Sequence, residues 1–202
     1  MDYKIINIRD FYKESEEETL KVFSHFKCEF NPDIEKFLKN KSIEFSKKGI
    51  AETFLVIAEL KNKDVIVGYF SLAYKITRVS KNVLKGKTKN RMLRFVQAEK
   101  DKDYYLVALP LIGQLSKNYY MRYNDLITGD ELLRLACEKI TEAQRIVSGR
   151  FVFLECADNP KLKDFYEKNG FVYFGQRQLD RDEKKYNTGE YLLKMLRDLS
   201  EF

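Results

Sequence analysis

Apolar and polar positions alternate over residues 3–9, YKIINIR, which predicts an opening strand. From Glu16 to Phe26, Leu20, Val22 and Phe23 recur at helical spacing. A second helix is predicted after Asn31-Pro32, capped by Asn31 or Asp33. Its apolar stripe is Ile34, Phe37, Leu38 and Phe45, and Gly49 ends it. Thr53–Leu60 and Val65–Thr77 read as the two strands of a hairpin joined by the polar turn KNKD. Lys81–Arg94 is strongly basic and lacks a clean period, so it reads as a surface excursion with a short helix. Tyr104–Leu115 is a long apolar strand; Pro110 inside it removes a ladder hydrogen bond, so a bulge or local break in pairing is expected. A helix is predicted from about Gly129 to Val147. Leu132, Leu133, Ala136, Ile140 and Ala143 share one face, and Thr128 and Glu131 stand at capping-box spacing. Phe151–Cys156 is a buried strand, and Pro160–Lys168 is a short helix closed by Asn169-Gly170. Phe171–Gln176 and Tyr191–Leu199 supply the last strands. The element order is that of a mixed α/β domain.

At 202 residues the chain reads as one domain over 1–202. Its 13 Tyr and 15 Phe supply enough apolar surface for a core, which excludes wholesale disorder. No apolar run approaches a membrane span, and the opening residues are too charged for a secretory signal, so a cytoplasmic protein is expected. Cys28, Cys137 and Cys156 are widely spaced and suggest neither a disulfide framework nor a metal pair. A formal charge of +6 suits a polyanionic ligand such as a phosphorylated cofactor or RNA, but a Lys-rich solvated surface is the simpler reading.

Absences narrow the chemistry. His25 is the only histidine, so a triad with a histidine base is not expected. Zinc ligands at usable spacing are missing, as are Walker and dinucleotide fingerprints, and no metal is implied. What remains is chemistry led by backbone groups, tyrosine and carboxylates.

One segment concentrates the signal: Leu154–Phe171, LECADNPKLKDFYEKNGF. A buried strand opens into Asp158-Asn159-Pro160, then a helix bears Phe165-Tyr166, then Asn169-Gly170-Phe171 turns into another strand. This resembles the GNAT superfamily of acetyl-CoA-dependent N-acetyltransferases, with elements in matching order over about residues 50–197. The resemblance implies a mixed, mostly antiparallel sheet of six to seven strands flanked by about four helices, with a splayed fourth and fifth strand. It implies acetyl-CoA as co-substrate and a primary amine as acceptor. Tyr166 occupies the position of the family's general acid, and a phenol can return a proton to a departing thiolate. Asn159 and Phe165 match positions along the pantetheine arm. By the same resemblance, the main chain of Leu115, Ser116 and Lys117 contacts that arm as an added strand would.

The loop that follows leads to a helix N-terminus, where pyrophosphate is expected against Asn124, Ile127, Thr128, Gly129 and Asp130. Here the sequence departs from the family's Gly-x-Gly: only Gly129 remains, and Asp130 and Glu131 put negative charge in the first turn. Thr128, Lys117 and Arg122 are the groups available to compensate. The fourth strand carries no carboxylate between Tyr104 and Asn118, so Glu155 on the fifth is the nearest candidate base. The stretch from Phe26 to Ile57, with VGYFSLA and PLIGQLS, is similar to the GNAT toxins, which acetylate aminoacyl-tRNA. Three functions follow: an acetyltransferase for a small amine or protein amine, a toxin acting on aminoacyl-tRNA with Lys81–Arg94 near phosphates, or a non-catalytic acyl-CoA-binding module. Dimers are common in the superfamily, and the C-terminal strand offers a surface for one.

Overall fold

The computed structural model describes residues 2–96, 102–181, 183–185 and 189–200. Seven strands are interspersed with helices: β1 (Lys4–Asn7), α1 (Ile8–Tyr12), α2 (Glu16–Ser24), α3 (Pro32–Lys36), α4 (Ser42–Lys47), β2 (Ala51–Leu60), β3 (Lys63–Ser80), α5 (Gly86–Met92), β4 (Tyr104–Lys117), α6 (Gly129–Val147), β5 (Phe151–Ala157), α7 (Pro160–Lys168), β6 (Val172–Gln178) and β7 (Tyr191–Asp198). The strand order is β1-β2-β3-β4-β5-β7-β6. β4 and β5 run parallel, whereas β1–β2, β2–β3, β5–β7 and β6–β7 are antiparallel.

The opening strand is shorter than its alternation suggests. Asn7 stops it because its side chain accepts from the Arg9 N–H at 2.9 Å and caps α1 in place of a next ladder residue. The stripe from Ile34 to Phe45 does lie on a continuous helical run, with Asn31 as cap and Pro32 in the first turn. A π-helical turn at Phe37–Lys41 joins α3 to α4 within it. Counted as one, α3–α4 is among four substantial helices with α2, α6 and α7; α1 and α5 are short additions. The β2–β3 hairpin closes on only two residues, Lys61 and Asn62, both in the left-handed region with φ of 52° and 61°. Two such residues make a type I′ turn, whose twist matches that of the strands.

The residues gather into two compact units. The first comprises Met1–Ala73 and Ile112–Lys139, the second Tyr74–Leu111 and Ile140–Phe202. In the first, Ile8, Phe23, Phe26, Leu38, Leu55 and Tyr69 are fully buried together. In the second, Phe151, Phe153, Phe174 and Leu196 of β5, β6 and β7 pack with Val79, Leu84, Met92, Val107 and Leu109.

In the first unit β3 approaches the end of β4 so closely that position 68 admits no side chain. A Cβ on Gly68 would stand 2.9 Å from the Ser116 carbonyl oxygen and 3.2 Å from Leu132. Gly68→Ala is therefore expected to destabilise the protein by about 1–3 kcal/mol through backbone displacement. Chemical denaturation reads this directly, and an unchanged midpoint would contradict the close approach.

Candidate active site

The second unit carries the Asn-Pro…Phe-Tyr…Asn-Gly-Phe segment, and its geometry follows from helix-end chemistry. Asn159 takes an extended conformation, and its side-chain carbonyl accepts from the Lys161 N–H at 2.9 Å, while Pro160 occupies the first helical position. At the other end, Gly170 has φ of +77°. The Phe171 N–H reaches back to the Tyr166 carbonyl at 3.0 Å, and the Gly170 N–H reaches that of Glu167 at 3.0 Å. This is the Schellman arrangement, completed by an apolar contact between its two ends. Here that contact is Tyr166 against Phe171, ring centroids 5.9 Å apart and nearly edge-on. Phe165 also packs on the Tyr166 ring, centroids 5.0 Å apart, and the Asn169 amide donates to the Phe165 carbonyl at 2.9 Å. The helix terminus thus holds Tyr166 in one place.

The Tyr166 ring is half-buried as a whole. Burial around its hydroxyl, with the Cys156 thiol beside it, pushes the phenol pKa well above its ordinary value. Cys156 is itself pushed up to about 11, by burial and by the Asp158 carboxylate. Both groups are therefore neutral at physiological pH, and the phenol is a donor. Sequence reading passed over Cys156; only its place next to Tyr166 on the facing strand makes it relevant.

Glu155, the candidate base, sits in a different setting. Its carboxylate accepts from the Arg177 guanidinium at 2.7 Å and the Lys75 ammonium at 3.4 Å. Directly across the β5–β7 ladder lies Lys194, buried, donating to the Arg78 carbonyl at 2.7 Å and standing 4.9 Å over the Phe174 ring. Burial is the main cause lowering the Lys194 pKa; Glu155 opposes it, and Lys75, Arg177 and Arg78 add to it. A carboxylate whose oxygens serve two cations is the hub of an ion-pair network.

The first unit carries the expected cofactor loop. Ser116 is buried, with its hydroxyl 3.4 Å from the Cys28 sulfur; Leu115 and Lys117 are half-buried. The Lys117 ammonium donates to the Asn124 carbonyl at 3.1 Å, and Arg122 pairs with Asp125 at 2.8 Å. Both cations proposed to offset the missing glycine are engaged by the loop itself. Ile127 is buried, whereas Thr128 and Asp130 are exposed.

The capping box at the start of α6 is complete. The Glu131 N–H donates to the Thr128 hydroxyl at 3.1 Å, and the Thr128 N–H and hydroxyl donate back to the Glu131 carboxylate at 2.9 and 2.8 Å. The main-chain bond from Thr128 is the chief cause holding the Glu131 pKa below its ordinary value. A depressed carboxylate pKa contributes stability that is complete above the unfolded value and lost as pH falls through the folded one. Thermal melts from about pH 7 to about pH 3 should show Glu131→Gln losing less stability than wild type on the acid side. Parallel curves would remove Glu131 from the cap.

Asn118 was not singled out by its sequence, yet it is the best-connected residue of this unit. It is fully buried. Its side-chain oxygen accepts from the N–H groups of Lys27 and Tyr120, each at 3.0 Å. Its amide nitrogen donates to the carbonyls of His25 at 3.0 Å and Ile66 at 2.8 Å, and its own N–H donates to the Val67 carbonyl at 2.8 Å. All four side-chain hydrogen-bonding positions of the amide are used. Asn118 therefore fixes where β4 ends and the loop toward Gly129 begins.

No family model and no curated protein matches this chain by sequence. Solved structures match it in fold. AtaT complexed with acetyl-methionyl-tRNAfMet matches 95% of this chain and 94% of its own at a TM-score of 0.61 with 16% identity. The chain shares their fold, the GNAT fold. A tyrosine-to-phenylalanine mutant of KacT gives a TM-score of 0.60 at 16% identity, over 96% and 95% of the two chains. The AtaTR complex bound with acetyl-CoA gives 0.57 at 14% identity, over 99% and 95%. In the GNAT fold of this chain, Tyr166 and Asn159 belong to the second unit and the loop from Leu115 to Asp130 to the first. Among the described residues no group of His, Cys, Asp and Glu could hold a metal ion, and no helix is long and apolar enough to cross a membrane.

Proposed function

We propose that this protein is an acetyl-CoA-dependent N-acetyltransferase that moves the acetyl group to a primary amine by direct attack on the thioester. The observation that carries this reading is Tyr166: a phenol fixed by a helix terminus, desolvated and protonated, in the segment that resembles the family's acid position. Acyl transfer needs an acid for the departing thiolate, and a phenol that stays protonated supplies one. The main chain of Leu115–Lys117 is assigned to the pantetheine arm, and Asn124, Ile127, Thr128, Gly129 and Asp130 to the pyrophosphate. Phe165 and Asn159 are assigned to the arm as well. Because the Asn159 carbonyl caps α7, its amide N–H₂ is the group it offers. The ion pairs of Glu155 suit a positioning role better than that of a base, so the amine is taken to arrive neutral. An α-amine, with pKa near 8, does so more readily than a lysine near 10.4.

An aminoacyl-tRNA presents such an α-amine. The likeness to AtaT complexed with acetyl-methionyl-tRNAfMet over nearly the whole chain favours that acceptor over a lysine side chain. Calorimetric titration with acetyl-CoA is expected to give micromolar affinity, about −8 kcal/mol; the absence of heat at saturating concentration would remove the enzyme reading and leave the fold alone. For the acceptor, expression should arrest growth and Tyr166→Phe should relieve the arrest. Turnover on small amines without growth arrest would point instead to a metabolic acceptor.

A further inference from the structure

One stretch accounts for the net positive charge of the chain. Residues 74–111 hold ten Lys or Arg against three Asp or Glu, a surplus of seven in a chain whose total is +6. This stretch belongs to the second unit and contains the distal half of β3, α5 and the proximal half of β4. The two strands are neighbours, and the Lys81 N–H donates to the Asp103 carbonyl at 2.9 Å where they close.

Alternation gives this half of the sheet two unlike faces. Val79, Val107 and Leu109 point into the core with Met92 and Leu84, so α5 covers that side. The opposite face carries Tyr74, Ile76 and Arg78 of β3 beside Tyr104, Leu106 and Ala108 of β4. It is open to solvent: Tyr74 is 63% exposed, Ile76 67% and Leu106 46%. Two cations attend it, Arg78 at 4.9 Å and Lys102 at 5.8 Å from the Tyr104 ring centroid. Sheet faces left bare at aromatic and β-branched residues are uncommon on proteins that act alone. Rings, cations and an open strand surface together are what single-stranded nucleic acid needs. Bases stack on the rings while Arg and Lys meet the phosphates, and every base has a π-face, so the contact tolerates sequence.

We propose that the exposed β3–β4 face, centred on Tyr74, Tyr104, Ile76 and Leu106 and edged by Arg78 and Lys102, binds a single-stranded segment of RNA. This deepens the aminoacyl-tRNA reading and rests on it for the identity of the RNA. The acetylation chemistry of Tyr166 plays no part in the contact.

The test is fluorescence anisotropy of a labelled single-stranded RNA of about 12 nucleotides, with the full chain and no acetyl-CoA. Binding is expected to weaken steeply as salt rises and to exceed that of a duplex of equal length. The double substitution Tyr74→Ala with Tyr104→Ala should weaken it by about tenfold or more, as loss of two stacked bases does. Arg78→Gln with Lys102→Gln should flatten the salt dependence. Thermal melts and acetyl-CoA titrations of these variants should match wild type, which separates lost binding from lost folding. Tyr166→Phe should bind RNA normally. Intact RNA binding without acetylation by wild type would therefore fault the enzyme reading and leave this surface standing. The proposal is overturned by no RNA binding at low salt, or by binding that the ring substitutions leave unchanged. It is equally overturned if the face binds phosphatidylserine vesicles but not RNA, or if Ile76→Glu abolishes a dimer while RNA fails to bind.

Discussion

Tyr166→Phe is expected to lower the acetylation rate by about 100- to 10,000-fold, the usual worth of a positioned general acid, with acetyl-CoA affinity and melting temperature close to wild type. The separation follows from how the residue is built in. Its ring packs against both Phe165 and Phe171, and its carbonyl closes the Schellman turn. Phenylalanine keeps both ring contacts and the backbone bond and removes only the hydroxyl. The pH profile offers a second check. Burial and the Cys156 thiol raise the phenol pKa, so the hydroxyl stays protonated through the alkaline range. The rate of wild type should then rise on the alkaline side with deprotonation of the acceptor amine. It should not fall near pH 10, where an ordinary tyrosine ionises. Steady-state kinetics on wild type and variant would show both effects. A Tyr166→Phe protein with wild-type turnover, or an alkaline limb at an ordinary phenol pKa, would take the acid role away from this residue.

Asn118→Asp is expected to destabilise the fold by about 3–5 kcal/mol at neutral pH, although the two side chains are nearly the same shape. The substitution replaces the two N–H donors that serve the His25 and Ile66 carbonyls with a second acceptor. A buried carboxylate would then face two carbonyl oxygens while losing its own hydration. Such a group resists ionisation, so its pKa rises, and once protonated it regains one donor. The penalty should accordingly be larger at about pH 8 than at about pH 5. Urea denaturation at the two pH values would measure it. A variant within about 1 kcal/mol of wild type at both would show that the amide network does not anchor this turn.

The element sequence was legible because most boundaries here are set by local chemistry. Asn31-Pro32, Thr128 with Glu131, and Asn159-Pro160 each start a helix by satisfying orphan N–H groups. Asn169-Gly170 ends one because glycine enters the left-handed region at little cost. The same local rules shortened the first strand, where Asn7 caps a helix within an alternating pattern. Lys61-Asn62 were harder to read, since neither is glycine and the tight turn depends on the paired strands to hold both at positive φ.

The signature around Tyr166 teaches the same lesson from the other side. Asn159, Pro160, Asn169, Gly170 and Phe171 are all explained by the two ends of one nine-residue helix, which leaves the phenol hydroxyl as the part that folding does not require. Glu155 was singled out by its position on the fifth strand, and no local pattern could show that Arg177, Lys75 and Lys194 come from three other strands to surround it.

The sequence by itself determined where helices begin and end and which faces are apolar, because caps, turns and periodicity act over a few residues. Tertiary structure alone decided that Asn118 carries four side-chain hydrogen bonds, that position 68 must be glycine, that Cys156 lies beside Tyr166, and that one sheet face stays bare. Each of these depends on groups far apart in the chain arriving within a few ångströms, which only packing can arrange.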